Sequence, residues 1–139
     1  MSLPDPIAAL VEYLAADAVV AALVTGRVYG ESIPRDQASA MPRAAVLLTP
    51  AGGSGLRSFS KFFYQVVDVR TYGATAIEAE QLQLACLDAL RGLERSVHQT
   101  AVLYRAAMQS GVFPLLDTEA GWPGRFSTWE VATTLTGVS

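Results

Sequence analysis

The pattern of apolar residues indicates one central segment, Lys61 to Leu93, against which we expect the rest of the chain to pack. Its first part, up to Tyr72, is rich in β-branched and aromatic residues and predicts a strand. After Gly73, apolar residues recur at helical spacing, which predicts a helix from about Thr75 to Arg91. Thr75 and Glu78 have the spacing of a capping box, in which both side chains accept backbone N–H groups of the first helical turn. The residues of this segment expected in the core are Val67, Val69, Leu82, Ala85, Cys86, Ala89, Leu90 and Leu93.

Two shorter helices are predicted before this segment. Asp5 is placed to cap the first helix, with Pro6 at its first position. Asp17 is placed to cap the second helix, which we expect to end at Gly26 in the left-handed conformation. A short strand begins at Val28, and residues 31–42, which include two prolines, are predicted to form a loop.

The remaining segments predict further strands. Ala44 to Thr49 reads as a buried strand that ends at Pro50, and the glycine-rich residues 51–60 join it to the strand at 61–72 as a long hairpin. A strand is expected from Thr100 to Met108, followed by a turn at residues 110–111 and an extended segment at 112–116. A polar turn cluster at 117–124 precedes a last strand at 125–136. One face of that strand carries Trp129, Val131, Thr133 and Leu135.

Strands that come in runs, with one long helix between them, predict an α+β fold. We expect a mainly antiparallel sheet with its helices packed on one face and a long hairpin loop. The length of 139 residues is that of one domain spanning residues 1–139. Hydrophobic residues make up 51% of the chain and charged residues only 17%, so we expect part of the surface to be buried against other subunits.

Charge and apolar runs exclude several classes of protein. The net charge is −3, and no basic stripe indicates binding along a nucleic acid. No apolar run reaches the roughly 18 residues of a membrane span. The apolar N-terminal stretch contains Glu12 and Asp17 and lacks a basic leader, so a signal peptide is not predicted. The chain is therefore expected to be soluble and not secreted.

No catalytic, metal-binding or cofactor-binding set is predicted. The glycine cluster at 52–55 lacks the lysine of a phosphate loop and the last glycine of a nucleophile elbow. His98 is the only histidine and has no recognisable serine or acid partner, so we expect a surface or helix-exit residue. Cys86 is expected to be an unreactive core residue. Asp117 and Glu119 lack the spacing of a calcium loop.

Contact surfaces are the remaining candidates. The hairpin carries a short basic-aromatic patch, and the long strand places Asp68 and Arg70 on its polar face. A polar strand face is usually only solvated, but it can also contact another subunit. The residues predicted to contact a neighbouring subunit or a tube are Arg57, Phe59, Lys61, Asp68, Arg70, Trp122 and Arg125.

The order of these features resembles a known family. A helix leads into residues 17–29 (DAVVAALVTGRVY), and a proline-bearing loop leads into residues 41–48 (MPRAAVLL). The strand at 66–72 (VVDVRTY) precedes a helix that begins at 74–80 (ATAIEAE), and residues 111–117 (GVFPLLD) come before the last strand. This order is similar to that of the tail terminator, or tail completion, proteins of long non-contractile-tailed bacteriophages and gene-transfer particles.

The resemblance implies a structural virion protein without enzymatic residues or cofactors. Such a subunit assembles as a ring, typically of six copies, which caps the tail tube at its head-proximal end and stops its polymerisation. Its partners would be the tail tube protein and the head–tail connector or neck proteins, with no membrane. DNA would pass through the lumen without specific binding, and assembly would take place in the host cytoplasm. Two alternatives stay open: another neck, connector or minor tail protein, and a small-molecule-binding domain or enzyme with a pocket between sheet and helix.

Overall fold

The computed structural model describes residues 5–52, 55–56, 63–98, 101–115 and 121–134. Its helices are α1 (Pro6–Ala16), α2 (Ala18–Val24), α3 (Arg35–Ala38) and α4 (Ala76–Arg91). None of these helices is by itself long and apolar enough to cross a membrane. Taken together, α1 and α2 have the length and apolar composition of a membrane span, but they meet at a bend of 87°.

The predicted helix caps are present. The Asp5 carboxylate accepts from the Ala8 N–H, and the Asp17 carboxylate accepts from the Val20 N–H. At the start of α4, the Thr75 hydroxyl accepts from the Glu78 N–H, while the Glu78 carboxylate accepts from the N–H of the residue before the cap. The bonds to Asp5, Asp17 and Thr75 supply partners that the first turn of a helix lacks, so α1, α2 and α4 begin where the sequence predicts. The Glu78 bond goes to a residue before the helix, so that half of the predicted capping box is wrong. The Gly26 backbone is left-handed, at φ 83°, as predicted, and Thr25 before it, the C-terminal cap of α2, is also left-handed at φ 50°.

Seven strands form one mixed, curled sheet. They are β1 (Val28–Gly30), β2 (Ala45–Pro50), β3 (Gly55–Leu56), β4 (Phe63–Tyr72), β5 (Ser96–Val97), β6 (Val102–Leu115) and β7 (Gly124–Thr134). The strand order is β1-β2-β4-β7-β6-β5, with β3 paired to β4. Among the strand pairs of the described residues, only the β1–β2 pair is parallel. The predicted α+β class, with a mainly antiparallel sheet, is confirmed.

The helices pack on one face of the sheet. Strand β4 turns Val67, Val69 and Thr71 toward α4, and all three are buried. Its other face carries alternate residues that are mostly half-buried. One hydrophobic cluster joins helices α1, α2 and α4 to the strands, and Leu14, Leu48, Leu90 and Trp129 are among its largest members. Seven of the eight core residues expected in β4, α4 and the helix exit are buried, and Ala85 packs against them half-buried.

Two expectations about local structure are wrong, and a short strand was not predicted. A turn was expected at Ser110-Gly111, but β6 runs through both residues as one 14-residue strand. Three register shifts against β7 absorb the extra residues, which is how bulges let a strand continue past a glycine. The loop at 31–42 contains the single-turn helix α3, and the two-residue strand β5 follows α4 where no element was predicted.

Candidate functional site

The sheet face opposite the helices carries Asp68 and Arg70, as the strand alternation of β4 predicts. Asp68 accepts a hydrogen bond of 2.8 Å from the hydroxyl of Thr128 on β7. The Nε atom of Arg70 is inaccessible to solvent and has no hydrogen-bond partner among the described residues. The hydroxyl of Thr49, which lies opposite Asp68 in the β2–β4 register, is also inaccessible to solvent and has no hydrogen-bond partner among the described residues. This face therefore carries two buried polar atoms that make no hydrogen bond within the described residues.

Arg125 lies on the other side of the sheet. Its register partner on β4 is Thr71, which faces α4. The Arg125 Nε–H donates to a Glu80 carboxylate oxygen at 3.0 Å, and one terminal nitrogen donates to the Gly124 carbonyl. Arg125 is thus engaged in holding α4 against β7, and the structure does not bring it together with Asp68 and Arg70.

Trp122 precedes β7 and is half-buried. Its ring meets Tyr72 edge-on, with ring centroids 5.6 Å apart and an interplanar angle of 87°. Tyr72 shares the open face of β4 with Arg70, so Trp122 borders the same face from the end of the strand. The other three predicted contact residues, Arg57, Phe59 and Lys61, lie outside the described residues.

Within the apolar interface of α4 and the sheet, the buried polar groups around Gln83 form a connected network. The Gln83 amide group has no exposed surface, and it donates to the Val69 carbonyl at 3.1 Å and to the Thr71 hydroxyl at 3.2 Å. The Ser127 hydroxyl donates to the Gln83 amide oxygen and accepts from the indole N–H of Trp129. The Thr71 hydroxyl in turn donates to a carbonyl of α4. Because these buried groups satisfy one another, none of the polar atoms of this network is left for a ligand.

His98 has partners that its sequence neighbours did not reveal. Its Nδ1 lies 2.9 Å from a Glu12 carboxylate oxygen, and its Nε2 lies 2.8 Å from the Ser96 hydroxyl. The His98 side chain is 12% exposed, so the expected surface or helix-exit histidine is wrong. The acid is on α1, 86 residues away in sequence, and only the packing of α1 beside β5 brings it near.

The contacts from Ser96 to His98 and from His98 to Glu12 connect the same residue types as a hydrolase triad, but the acid is in a different environment. In such a triad the orienting acid is buried, whereas the Glu12 side chain is 50% exposed. A surface cavity beside Glu12 is lined by residues of α1 and the end of β1, and neither Ser96 nor His98 is among them. His98 also meets Tyr13 of α1 edge-on, with ring centroids 6.4 Å apart. These contacts tie the edge of the sheet to α1.

Cys86 is buried on α4, as expected. Burial, with a smaller contribution from the charge of Asp17, raises the pKa of its thiol to about 12. At neutral pH the thiol is therefore protonated and a poor nucleophile. Within the described ranges, no three His, Cys, Asp or Glu side chains are grouped to hold a metal ion.

No protein-family model and no curated protein matches this chain. Its fold is similar to that of a solved chain described as the virion of a native gene transfer agent particle. That match has a TM-score of 0.61 and 19% sequence identity, and it covers 88% of this chain and 89% of the other. A second solved structure, the gp17 protein of bacteriophage SPP1, aligns at a TM-score of 0.48 and 18% identity over 95% of this chain and 89% of that one. The chain thus shares its fold, over nearly its full length, with a chain of a gene-transfer virion.

Proposed function

We propose that this chain is a structural protein of a phage-like or gene-transfer particle, located in its tail or neck. The observation that carries the proposal is the fold shared with a gene transfer agent virion chain, with most of both chains aligned. The connected polar network between α4 and the sheet supports a non-enzymatic role, because none of its polar atoms is left for a ligand in the place where a pocket was the alternative.

Within the particle, the position we propose is the end of the tail tube nearest the head. There the chain forms a ring, typically of six copies, that stops tube polymerisation and offers a surface for the head–tail connector. The support for this finer assignment is the family resemblance of the sequence. A ring subunit repeats one contact around a closed axis, so it needs two different complementary surfaces on each copy. The open face of the sheet and the sheet edges provide separate surfaces of this kind.

The charge of the chain suits a ring around a DNA channel. A net charge of −3 gives the surface no general attraction for phosphates, and DNA can move through such a lumen without being held. The proposed partners are therefore other copies, the tail tube protein and a neck protein, with DNA as a passing cargo.

Electron microscopy of particles from a producing cell tests this assignment. We expect averaged images to place a ring of this chain between tube and neck, and particles that lack the chain to carry tails of uncontrolled length. Location of the ring inside the neck, away from the tube end, would instead support a connector. Absence of the chain from purified particles would overturn the proposal.

A further inference from the structure

Strand β6 forms a sheet edge that is open over most of its length within the described residues. Its inner side pairs with β7 from Val102 to Leu115. On its outer side, β5 pairs only with Val102 and Leu103. The backbone N–H and C=O groups that point outward beyond Leu103 therefore have no neighbouring strand in the described part of the chain.

This edge lacks the charges that usually protect such strands. Sheet edges of soluble proteins are commonly blunted by charged side chains, because an open edge recruits other strands. From Ala106 to Leu115 the strand has no charged residue. Met108 and Phe113 are 39% and 47% exposed, among the few large apolar side chains that reach solvent. The register shifts near Ser110 and the proline at 114 confine the regular part of the ladder to Arg105–Met108.

The opposite end of the same sheet has a second open edge, formed by β1. The Arg27 carbonyl accepts from the Val46 N–H, and the Glu31 N–H donates to the Leu48 carbonyl. Because backbone groups alternate in direction along a strand, Val28 and Gly30 turn theirs away from β2. The Val28 N–H donates to the Gly26 carbonyl and the Gly30 carbonyl accepts from the Ser32 N–H, so among the described residues the Val28 carbonyl and the Gly30 N–H are the groups left for a neighbouring strand. The three residues of β1 are uncharged, and their number is close to that of the regular segment of β6.

We infer that the β6 edge of one copy pairs with the β1 edge of a second copy of this chain, so that the sheets of neighbouring subunits become continuous. The second copy fits this edge because only an extended, uncharged strand can complete a row of backbone groups flanked by Met108 and Phe113. The two edges lie at opposite ends of one sheet, so the contact is head-to-tail and can repeat around a ring. Arg105 at one end of the regular segment and Glu31 after β1 add opposite charges to the two edges. The inference rests on the proposed ring and names its subunit contact.

Hydrogen–deuterium exchange tests this pairing directly, with purified full-length protein at increasing concentration. We expect the protein to self-associate, and we expect slower amide exchange in Arg105–Met108 and at the Gly30 amide as it does so. Strand addition protects backbone amides, whereas a contact made only by side chains leaves them exchanging. Self-association without this protection overturns the inference, and so does a chain that stays monomeric up to about millimolar concentration.

A charged edge provides the matched variant. The double substitution Met108→Lys and Gln109→Lys puts two charges on exposed positions of β6, and we expect it to weaken self-association at least about tenfold while the circular dichroism spectrum stays unchanged. Leu84→Lys changes a side chain of α4 that is 54% exposed, and it should leave association unaffected. Equal association of the edge variant and the wild type would overturn the inference. Particle imaging is a separate measurement, so the ring at the tail end can stand if the edge contact fails.

Discussion

At the scale of single residues, burial decides the chemistry of Cys86 and Tyr13. Burial is the main cause that raises the pKa of both side chains, and the charge of Asp17 adds to it. The Tyr13 hydroxyl donates to the Ala89 carbonyl on α4 at 2.6 Å, a bond that it loses on ionisation. Both groups therefore hold their protons more tightly in the folded chain than in the unfolded chain.

The sign of the resulting pH dependence follows from proton binding. The pKa of Cys86 rises from its ordinary value of 9.0 to about 12 on folding, so between those values the folded state binds more protons. Stability is then fully present below pH 9 and falls as the pH rises toward 12. We expect urea unfolding midpoints to decrease over this range. The Cys86→Ala variant should be less stable at pH 7 but should lose less additional stability on going to alkaline pH. An equally steep decline in the variant would contradict the role of the thiol.

Arg70 is the described residue at which a charge reversal is most informative. Its side chain lies half-buried on the open face, and its Nε lacks a hydrogen-bond partner in the described part of the chain. If that face contacts a neighbour, Arg70→Glu should fold normally by circular dichroism yet fail to complete tails in a producing cell. Arg35→Glu on α3 makes the same charge change at an exposed position and serves as control. Normal tails with the Arg70 variant would place the contact elsewhere. The corresponding reversals at Arg57 and Lys61 remain predictions from the sequence.

At the scale of elements, α4 is held to the sheet by packing and by the network around Gln83. Replacing Gln83 with Leu keeps the apolar volume but leaves the Ser127 hydroxyl, the Thr71 hydroxyl and the Val69 carbonyl short of a partner. A buried polar group without a partner costs about 1–3 kcal/mol. We expect Gln83→Leu to lower the free energy of unfolding by about that amount, measured by urea denaturation. The same substitution at exposed Gln81 on α4 should change it by less than about 0.5 kcal/mol. Equal stabilities of the two variants would argue against the network.

The elements that the sequence predicts well are those whose signals are local. The caps of α1, α2 and α4 and the alternation along β4 depend on residues within a few positions of one another, and the structure has them where expected. The sequence predicted two segments in place of the single strand β6, because a serine–glycine pair usually marks a turn. Pairing with β7 accommodates the extra residues in bulges, so the strand continues through the pair. Gln83 gave no sign of burial, because its hydrogen-bond partners come from β4 and β7.

The same limit applies to the candidate contact residues. Strand alternation correctly placed Asp68 and Arg70 on the face away from the helices. It could not show that Arg125 would pair with Glu80, since those residues are 45 positions apart. Likewise, neither Glu12 nor Ser96 marks a partner for His98 until α1 and β5 are side by side.

At the scale of the whole molecule, the helices cover one face of the sheet, and α1 also contacts β1. The surfaces left for assembly are the open face, with its polar side chains, and the uncharged edges at β6 and β1. These two kinds of surface respond differently to salt. Charge pairs at a partly exposed interface are screened as salt rises, whereas backbone pairing with apolar flanks is not.

Salt therefore distinguishes which surface joins the subunits. Raising the ionic strength from about 0.1 M to about 1 M shortens the screening length from ~10 Å to ~3 Å. If the β6 and β1 edges form the contact, the association constant from analytical ultracentrifugation should change by less than about threefold over that range, because the charges next to the paired segments are limited to Arg105, Arg27 and Glu31. If the open face with Asp68 and Arg70 forms it, association should weaken by about tenfold or more. Strong weakening by salt, with unchanged association of the Met108→Lys, Gln109→Lys variant, would assign assembly to the open face instead of the edge.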